Sequence, residues 1–175
     1  MPALARSQTV SVYVNDTTFA PEPVVYTSTD STNGKVKATY PNHGNALAYE
    51  VNFYYGKRSG LVRIFYPGTD QLMRTLVYNN GKLNGETNWY DKQGKLVIKG
   101  FYADNVKEGF WVYRNYGLMG EYRKGLKNGT WKYDLPGGRK GRLKFKKGVL
   151  QRNKKGSTPI PGIPRSLLMD GVTKL

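Results

Sequence analysis

The residue types that carry out catalysis are sparse in this sequence. The chain contains one histidine, His43, and no cysteine, so a cysteine nucleophile is excluded and any proton relay would depend on a single base. His43 lies in the turn-like segment YPNHG with no carboxylate pattern beside it, which favours an exposed loop histidine over a general base. The sequence therefore predicts a protein that is not an enzyme.

The acidic and glycine-rich segments do not predict a bound metal or cofactor. The 12 Asp and Glu residues are dispersed and lack the spacing of a calcium-binding loop. Asp91 and Asp134 follow aromatic residues at predicted turns, where an aspartate typically bonds its local backbone. The stretch PGGRKG matches no phosphate-binding loop and does not lie between a strand and a helix. We expect no metal and no cofactor.

Positive charge is the clearest indication of binding. The chain has 28 Lys and Arg residues against 12 acidic ones, and nine basic residues with no acid lie between Arg139 and Lys155. A field of this sign favours acidic partners. We predict a contact surface for an acidic protein partner, within a larger complex, formed by this basic cluster and two apolar residues of the C-terminal tail: Arg139, Lys140, Arg142, Lys144, Phe145, Lys146, Lys147, Leu167 and Leu168.

A second interpretation of the same charge is binding to nucleic acid or to another anionic surface. Basic strands with aromatic rings bind single strands by charge and stacking. The Trp and Tyr residues of this chain alternate as a core face does, which leaves Phe145 as the candidate for stacking. A Lys-Phe-Lys run is equally typical of a strand with one solvated face. No segment approaches the roughly 20 apolar residues of a membrane-spanning helix, so no transmembrane segment is predicted.

Three interleaved series of glycines indicate the elements that position these residues. The series are Gly60, Gly85, Gly109 and Gly129; Gly44, Gly68, Gly94, Gly117 and Gly138; and Gly56, Gly81, Gly125 and Gly148. Asn105 takes the vacant place in the third series, and asparagine is the residue that best replaces glycine where φ is positive. The repetition predicts turns at fixed intervals along the chain.

The residues after the first glycine series alternate as in a β-strand. Two residues after each glycine are Val62, Thr87, Trp111 and Trp131, and four residues after are Ile64, Trp89, Tyr113 and Tyr133. Positions two apart share one face of a strand, so these residues predict two columns of core side chains. Each repeat is predicted to be a β-hairpin that buries its face against its neighbours. The expected fold is all-β, an elongated open antiparallel sheet of repeated β-hairpins.

The repeat resembles the MORN repeat in its bacterial variant. The segments that carry the resemblance are Tyr78–Gly94, Tyr102–Gly117 and Tyr122–Gly138, with a more degenerate copy at Phe53–Gly68 and a partial one at YPNHG-LAYEVNF. It covers about residues 40–149. The resemblance implies MORN-like repeats that bind protein without catalysis, as in YwqK-family antitoxins or exported envelope proteins. The role we expect is a scaffold subunit of a bacterial cell-envelope assembly, with an antitoxin that neutralises a cognate toxin as the alternative.

The two ends of the chain do not repeat. We predict an N-terminal strand or arm at 1–35, the repeat sheet at 36–149, and an extended basic and proline-rich C-terminal arm at 150–175 that either packs along its own sheet or docks elsewhere. Ala3-Leu4-Ala5 has the small-x-small pattern of a signal-peptidase site. This pattern favours an exported protein of the periplasm or cell envelope, and a cytoplasmic protein is the alternative.

Overall fold

The computed structural model describes residues 12–14, 20–27, 32–151 and 162–169. These residues form 14 strands of one open antiparallel sheet with very little helix. The predicted all-β fold of repeated hairpins is therefore confirmed. The chain divides into two compact units, one with the residues up to 83 and 90–95, the other with 84–89 and the residues from 96 onward.

The elements of both units follow one another in chain order. The first unit contains β1 (Val12–Val14), β2 (Val24–Thr27), β3 (Gly34–Tyr40), β4 (Ala46–Tyr54), β5 (Lys57–Phe65), β6 (Leu72–Asn79) and β7 (Lys82–Leu83). The second contains β8 (Gly85–Tyr90) except its last residue, β9 (Leu96–Ala103), β10 (Val106–Tyr113), β11 (Leu118–Arg123), β12 (Leu126–Asp134), β13 (Lys140–Lys146), β14 (Val149–Leu150) and the short helix α1 (Arg165–Met169). Within each unit consecutive strands are neighbours in the sheet.

The third glycine series forms the hairpin turns at one end of the strands. Each turn has two successive residues with positive φ: Tyr55-Gly56, Asn80-Gly81, Asp104-Asn105, Lys124-Gly125 and Lys147-Gly148. Two positive φ values define the type I′ turn, whose twist matches that of the flanking strands. Asn105 has φ 73°, so its predicted equivalence to the glycines is confirmed.

The first glycine series has a different role from the one its sequence pattern indicates. These glycines were expected to end a turn before the strand, but Gly60, Gly109 and Gly129 lie inside β5, β10 and β12 with φ between 66° and 77°. Around Gly109, the four-residue step from Glu108 to Val112 pairs with a two-residue step on β9. Each of these glycines therefore marks a β-bulge, which increases the local twist of the strand.

The core of the second unit is built from aromatic rings that cover glycines on the preceding strand. Trp111 and Trp131 are buried. The ring of Trp111 packs edge-to-face against that of Tyr102, and the ring of Trp131 against that of Tyr122, with 5.2 Å between ring centroids in each pair. A Cβ added to Gly120 would come within 2.3 Å of the Trp131 ring. The absence of a side chain at this glycine is what lets the indole lie flat on the strand.

The predicted columns of core side chains are confirmed. The first column, Val62, Thr87, Trp111 and Trp131, is at most 1% exposed throughout. In the second column Ile64 and Tyr113 are buried, while Trp89 and Tyr133 are half-buried. Burial thus follows the two-residue period of the strands in both units.

The C-terminal segment differs from the extended arm that its prolines predict. Residues 165–169 form α1, and Ile163 and Leu168 are buried against the aromatic core of the second unit. The sequence left open whether this segment packs along its own sheet or docks elsewhere. Residues 162–169 pack on the protein's own sheet. Residues 152–161 and 170–175 lie outside the described residues.

The first unit has a separate core of smaller side chains. Ala38, Tyr40, Ala48, Val62 and Ile64 are completely buried there, and Ala20 and Val24 pack against the same cluster. β1 pairs with β2 and β2 pairs with β3, so the described N-terminal residues extend the sheet as the strand-like sequence predicts.

Candidate partner-binding face

Strand β13 has two chemically different faces. Gly141, Leu143 and Phe145 are buried, and the basic residues between them are exposed. The strict alternation of Lys or Arg with apolar residues produces this arrangement, because successive side chains point to opposite faces of a strand. Four predicted contact residues, Lys140, Arg142, Lys144 and Lys146, therefore lie side by side on the solvent face.

The neighbouring strand adds a basic residue that the sequence prediction missed. Lys132 of β12 is exposed and pairs directly with Arg142 across the two strands. Like charges in directly opposed positions destabilise a sheet. We call Lys132, Arg142, Lys144 and Lys146 the basic face. None of these four side chains forms an ion pair with a carboxylate of the described residues.

The other basic residues of the prediction lie at the margins of this face. Lys140 forms an ion pair with Asp134, its cross-strand neighbour, so part of its charge is balanced. Arg139 precedes β13, and Lys147 lies in the hairpin turn after it; both are exposed. These three residues therefore lie at the edge of the basic face and not within it.

The apolar residues of the predicted contact surface are inside the protein. Phe145 is 2% exposed, with its ring 6.0 Å from that of Trp131, and Leu168 is 5% exposed. Leu167 is half-buried and packs against the same core. Phe145 and Leu168 therefore do not lie on an exposed surface, because the alternation of β13 turns Phe145 inward and residues 162–169 fold back onto the sheet, whereas Leu167 stays partly exposed.

The sequence patterns also did not predict that lysines lie inside the aromatic core. Lys127 is completely buried, and its Nζ lies 5.0 Å from the ring centre of Tyr122 and 5.2 Å from that of Trp131. The same Nζ donates a 2.6 Å hydrogen bond to the carbonyl oxygen of Leu167. Burying an ammonium is costly unless it is hydrogen-bonded, and here aromatic faces and a carbonyl replace water.

Lys107 occupies the corresponding place one repeat earlier. Its Nζ lies 4.9 Å from the ring centre of Trp111 and 5.1 Å from that of Tyr122. The signal in the sequence is the position two residues before the first glycine series, which holds Arg58, Leu83, Lys107 and Lys127. A cation recurs there in three of four repeats, but the sequence alone does not show that it points to the buried side.

The residues considered for catalysis and metal binding have local structural contacts. The Nε2 atom of His43 lies 2.8 Å from a carboxylate oxygen of Glu22. The carboxylate of Asp91 accepts hydrogen bonds from the backbone of Gln93 and Lys95, as predicted for a turn aspartate, whereas Asp134 pairs with Lys140 instead. Within the described residues, no group of three or more His, Asp or Glu side chains stands close enough to hold a metal ion.

Two tyrosines have perturbed acidity. Burial, and then the nearby charge of Glu22, raises the pKa of Tyr40 to about 12, and its hydroxyl donates to the carbonyl oxygen of Phe65 at 3.1 Å. Burial also raises the pKa of Tyr66, whose hydroxyl donates to the carbonyl oxygen of Tyr90 at 2.7 Å. Both hydroxyls therefore act as protonated hydrogen-bond donors to the backbone.

Comparison with known proteins identified no family for this chain. Neither the models of known protein families nor the curated proteins gave a match to the chain. In the part of the chain that the structure describes, no helix has the length and apolar character needed to span a membrane. Ala3-Leu4-Ala5, on which the expectation of export depends, lies outside the described residues.

Proposed function

We propose that this protein is a non-enzymatic interaction module that binds an acidic protein partner through the basic face of β12 and β13. The observation that carries the proposal is the cluster of four exposed cations with no described carboxylate as ion-pair partner. Lys132 and Arg142 are held opposite each other at a cost in repulsion. An acidic surface would relieve that repulsion and would be attracted over a long range.

The proposed biological role is a scaffold subunit of a bacterial cell-envelope assembly, composed of MORN-like repeats. The support for it is the regular series of type I′ hairpins and glycine bulges, which agrees with a repeat scaffold. The proposal includes export from the cytoplasm. A repeat scaffold hosts many unrelated functions, so the role depends on the partner and not on the fold.

Nucleic acid is the less favoured ligand of this face. Nonspecific binding of a single strand uses rings that stack on bases as well as cations that contact phosphates. Phe145 was the candidate for stacking, and it is buried on the opposite side of β13. The exposed side of that strand presents lysine and arginine alone, which suits carboxylates as well as it suits phosphates.

The test is capture of the partner by a charge-reversal variant. We expect the double variant Arg142→Glu and Lys144→Glu to retain its fold, because both residues are exposed, and to lose an acidic protein that the wild type captures from the native source. A matched double variant, Lys57→Glu and Lys95→Glu, makes the same charge change at exposed positions elsewhere and should keep the partner. Partners are identified by mass spectrometry.

With the purified partner, we expect the Arg142→Glu and Lys144→Glu variant to slow association on the order of tenfold and to flatten its salt dependence. Equal capture by both double variants would refute the assignment of the basic face. Recovery of material that a nuclease removes, with a log–log salt slope of several units, would show that the ligand is nucleic acid instead.

A further inference from the structure

Two exposed phenylalanines lie in the second unit, outside any predicted site. Phe110 of β10 is 60% exposed and Phe101 of β9 is 42% exposed. Their exposure follows from the strand alternation, because the next residue after Phe110 is Trp111, which takes the buried side. An exposed aromatic pair on a sheet face is a typical feature of an interaction surface.

The registers of the strands place Phe110 on the same side of the sheet as the basic face. Phe110 pairs with Glu121 of β11, and in the adjacent row Val112 pairs with Met119. Met119 pairs in turn with Lys132, and Lys132 pairs with Arg142. Directly opposed residues share one face, so an apolar area and the basic face form one continuous surface.

A shallow depression lies between these two areas. It is lined by Phe110, Gly120, Glu121, Asn128, Gly129 and Thr130. Gly129 has no atom within 4 Å of the place where a Cβ would lie, so the backbone there is open. The bulge at Gly129 and the phenyl ring of Phe110 thus form a floor and a wall that a single apolar side chain can contact.

We propose that Phe110 and this depression are the apolar anchor for the same acidic partner. This inference rests on the proposed function. Rim charges chiefly speed encounter, whereas lasting affinity comes from a few desolvated aromatic contacts. From β10 to β13 there are three strand steps of about 4.8 Å, or about 14 Å. An extended segment crossing the strands covers that distance in about four residues.

The partner segment is therefore an extended peptide with an apolar residue about four positions from its carboxylates. The apolar side chain contacts Phe110, and the carboxylates reach Lys144 and Lys146, because the row of paired residues that begins at Phe110 meets β13 beside Phe145. A bilayer of anionic lipid is less suited to this surface, since Glu121 is the direct cross-strand neighbour of Phe110 and Glu108 is that of Phe101. Two carboxylates beside the phenylalanines would repel lipid headgroups, whereas the peptide places only its apolar residue beside them.

The experiment uses two synthetic fluorescent peptides of equal length and charge. Both carry three glutamates at alternate positions; one has phenylalanine four residues before the first glutamate, and the other has serine there. We expect the wild type to bind the phenylalanine peptide about tenfold more tightly than the serine peptide. Phe110→Ser should reduce this difference to less than twofold and leave binding of the serine peptide unchanged. Tyr54→Ser, which removes a 63% exposed ring elsewhere, should preserve the difference.

The outcomes separate this inference from the proposed function. Equal binding of the two peptides by the wild type would overturn the anchor and leave charge-dependent binding intact. Binding of both peptides that is insensitive to Arg142→Glu with Lys144→Glu would overturn the proposed function. If neither peptide binds the wild type, both the anchor and the proposed function are overturned. Binding to phosphatidylserine vesicles that is lost in Phe110→Ser would overturn the anchor in favour of a membrane surface.

Discussion

Substitution of Lys127 tests how this fold tolerates a buried charge. Lys127→Ala removes a completely buried side chain and leaves a cavity among Tyr122, Trp131 and Phe145. Truncations of this size cost about 2–5 kcal/mol. We expect a loss of about 3 kcal/mol in the free energy of unfolding, with a fall in Tm of roughly 6–12 °C for a chain of this length.

Lys127→Met keeps most of the volume but removes the charge. It loses the charged hydrogen bond to the Leu167 carbonyl, about 1.5–3 kcal/mol, and attraction to the aromatic faces, about 0.5–2 kcal/mol. It also removes the cost of dehydrating an ammonium, which is several kcal/mol. These terms offset each other, so we expect the free energy of unfolding to stay within about 1 kcal/mol of the wild type.

The assay is urea unfolding followed by tryptophan fluorescence, because Trp111 and Trp131 are buried in the same core as Lys127. Lys132→Met, at an exposed position of the same strand, is the control and should change the free energy of unfolding by less than about 0.5 kcal/mol. If Lys127→Met is as unstable as Lys127→Ala, the ammonium contributes more than its packing and the reasoning is wrong.

Hydrogen exchange of the C-terminal segment measures the hydrogen bond separately. The amides of Leu167 and Leu168 donate to the carbonyl of Pro164, at 3.0 and 3.2 Å. In Lys127→Met the Leu167 carbonyl loses its donor, and local opening should become about tenfold more frequent even where global stability is unchanged. Unchanged exchange at both amides would show that Lys127 does not hold this segment on the sheet.

Two further substitutions probe the glycine packing and the buried tyrosine. Gly120→Ala should cost about 3 kcal/mol or more, because its Cβ would lie 2.3 Å from the buried Trp131 ring, whereas Gly137→Ala, with open space but φ 76°, should cost only about 1–2 kcal/mol of backbone strain; equal losses in urea unfolding would contradict the ring contact. The pKa of Tyr40 is raised to about 12 in the folded state, so its contribution is complete below pH 10 and is lost as pH rises from about 10 to 12. Tyr40→Phe should remove that part of the alkaline loss of stability, and a difference curve against the wild type that stays flat between pH 9 and 12 would refute this assignment.

The local parts of the fold were predictable from the sequence. Asn105 could be placed with the turn glycines because positive φ at that position is a local requirement of the type I′ turn. The buried column through Trp111 and Trp131 could be placed because strand side chains alternate with a period of two. The role of Gly109 was mistaken, since a bulge depends on pairing with a neighbouring strand and not on local sequence.

The candidate site was predictable in its charge and not in its composition. The exposed cations Arg142 and Lys144 follow from the alternation in β13. Lys132 and Phe110 join them through pairings between strands, which a single sequence does not specify. Leu168 was assigned to a contact surface, although it packs in the core of its own chain. Apolar residues in a proline-rich tail do not show by themselves whether they pack on their own chain or on a partner.

The sequence by itself determined the turns, the alternation of the strands and the excess of positive charge, because these depend on the conformational preferences and charges of residues that are close in the chain. Tertiary structure decided which face was covered and what shared the open one. Leu168 and Lys127 are 41 positions apart, yet the C-terminal segment buries both, and strand register places Phe110 on the same face of the sheet as Arg142. Such contacts are fixed by the packing of the whole sheet, in which burial of apolar surface and satisfaction of polar groups must be achieved together.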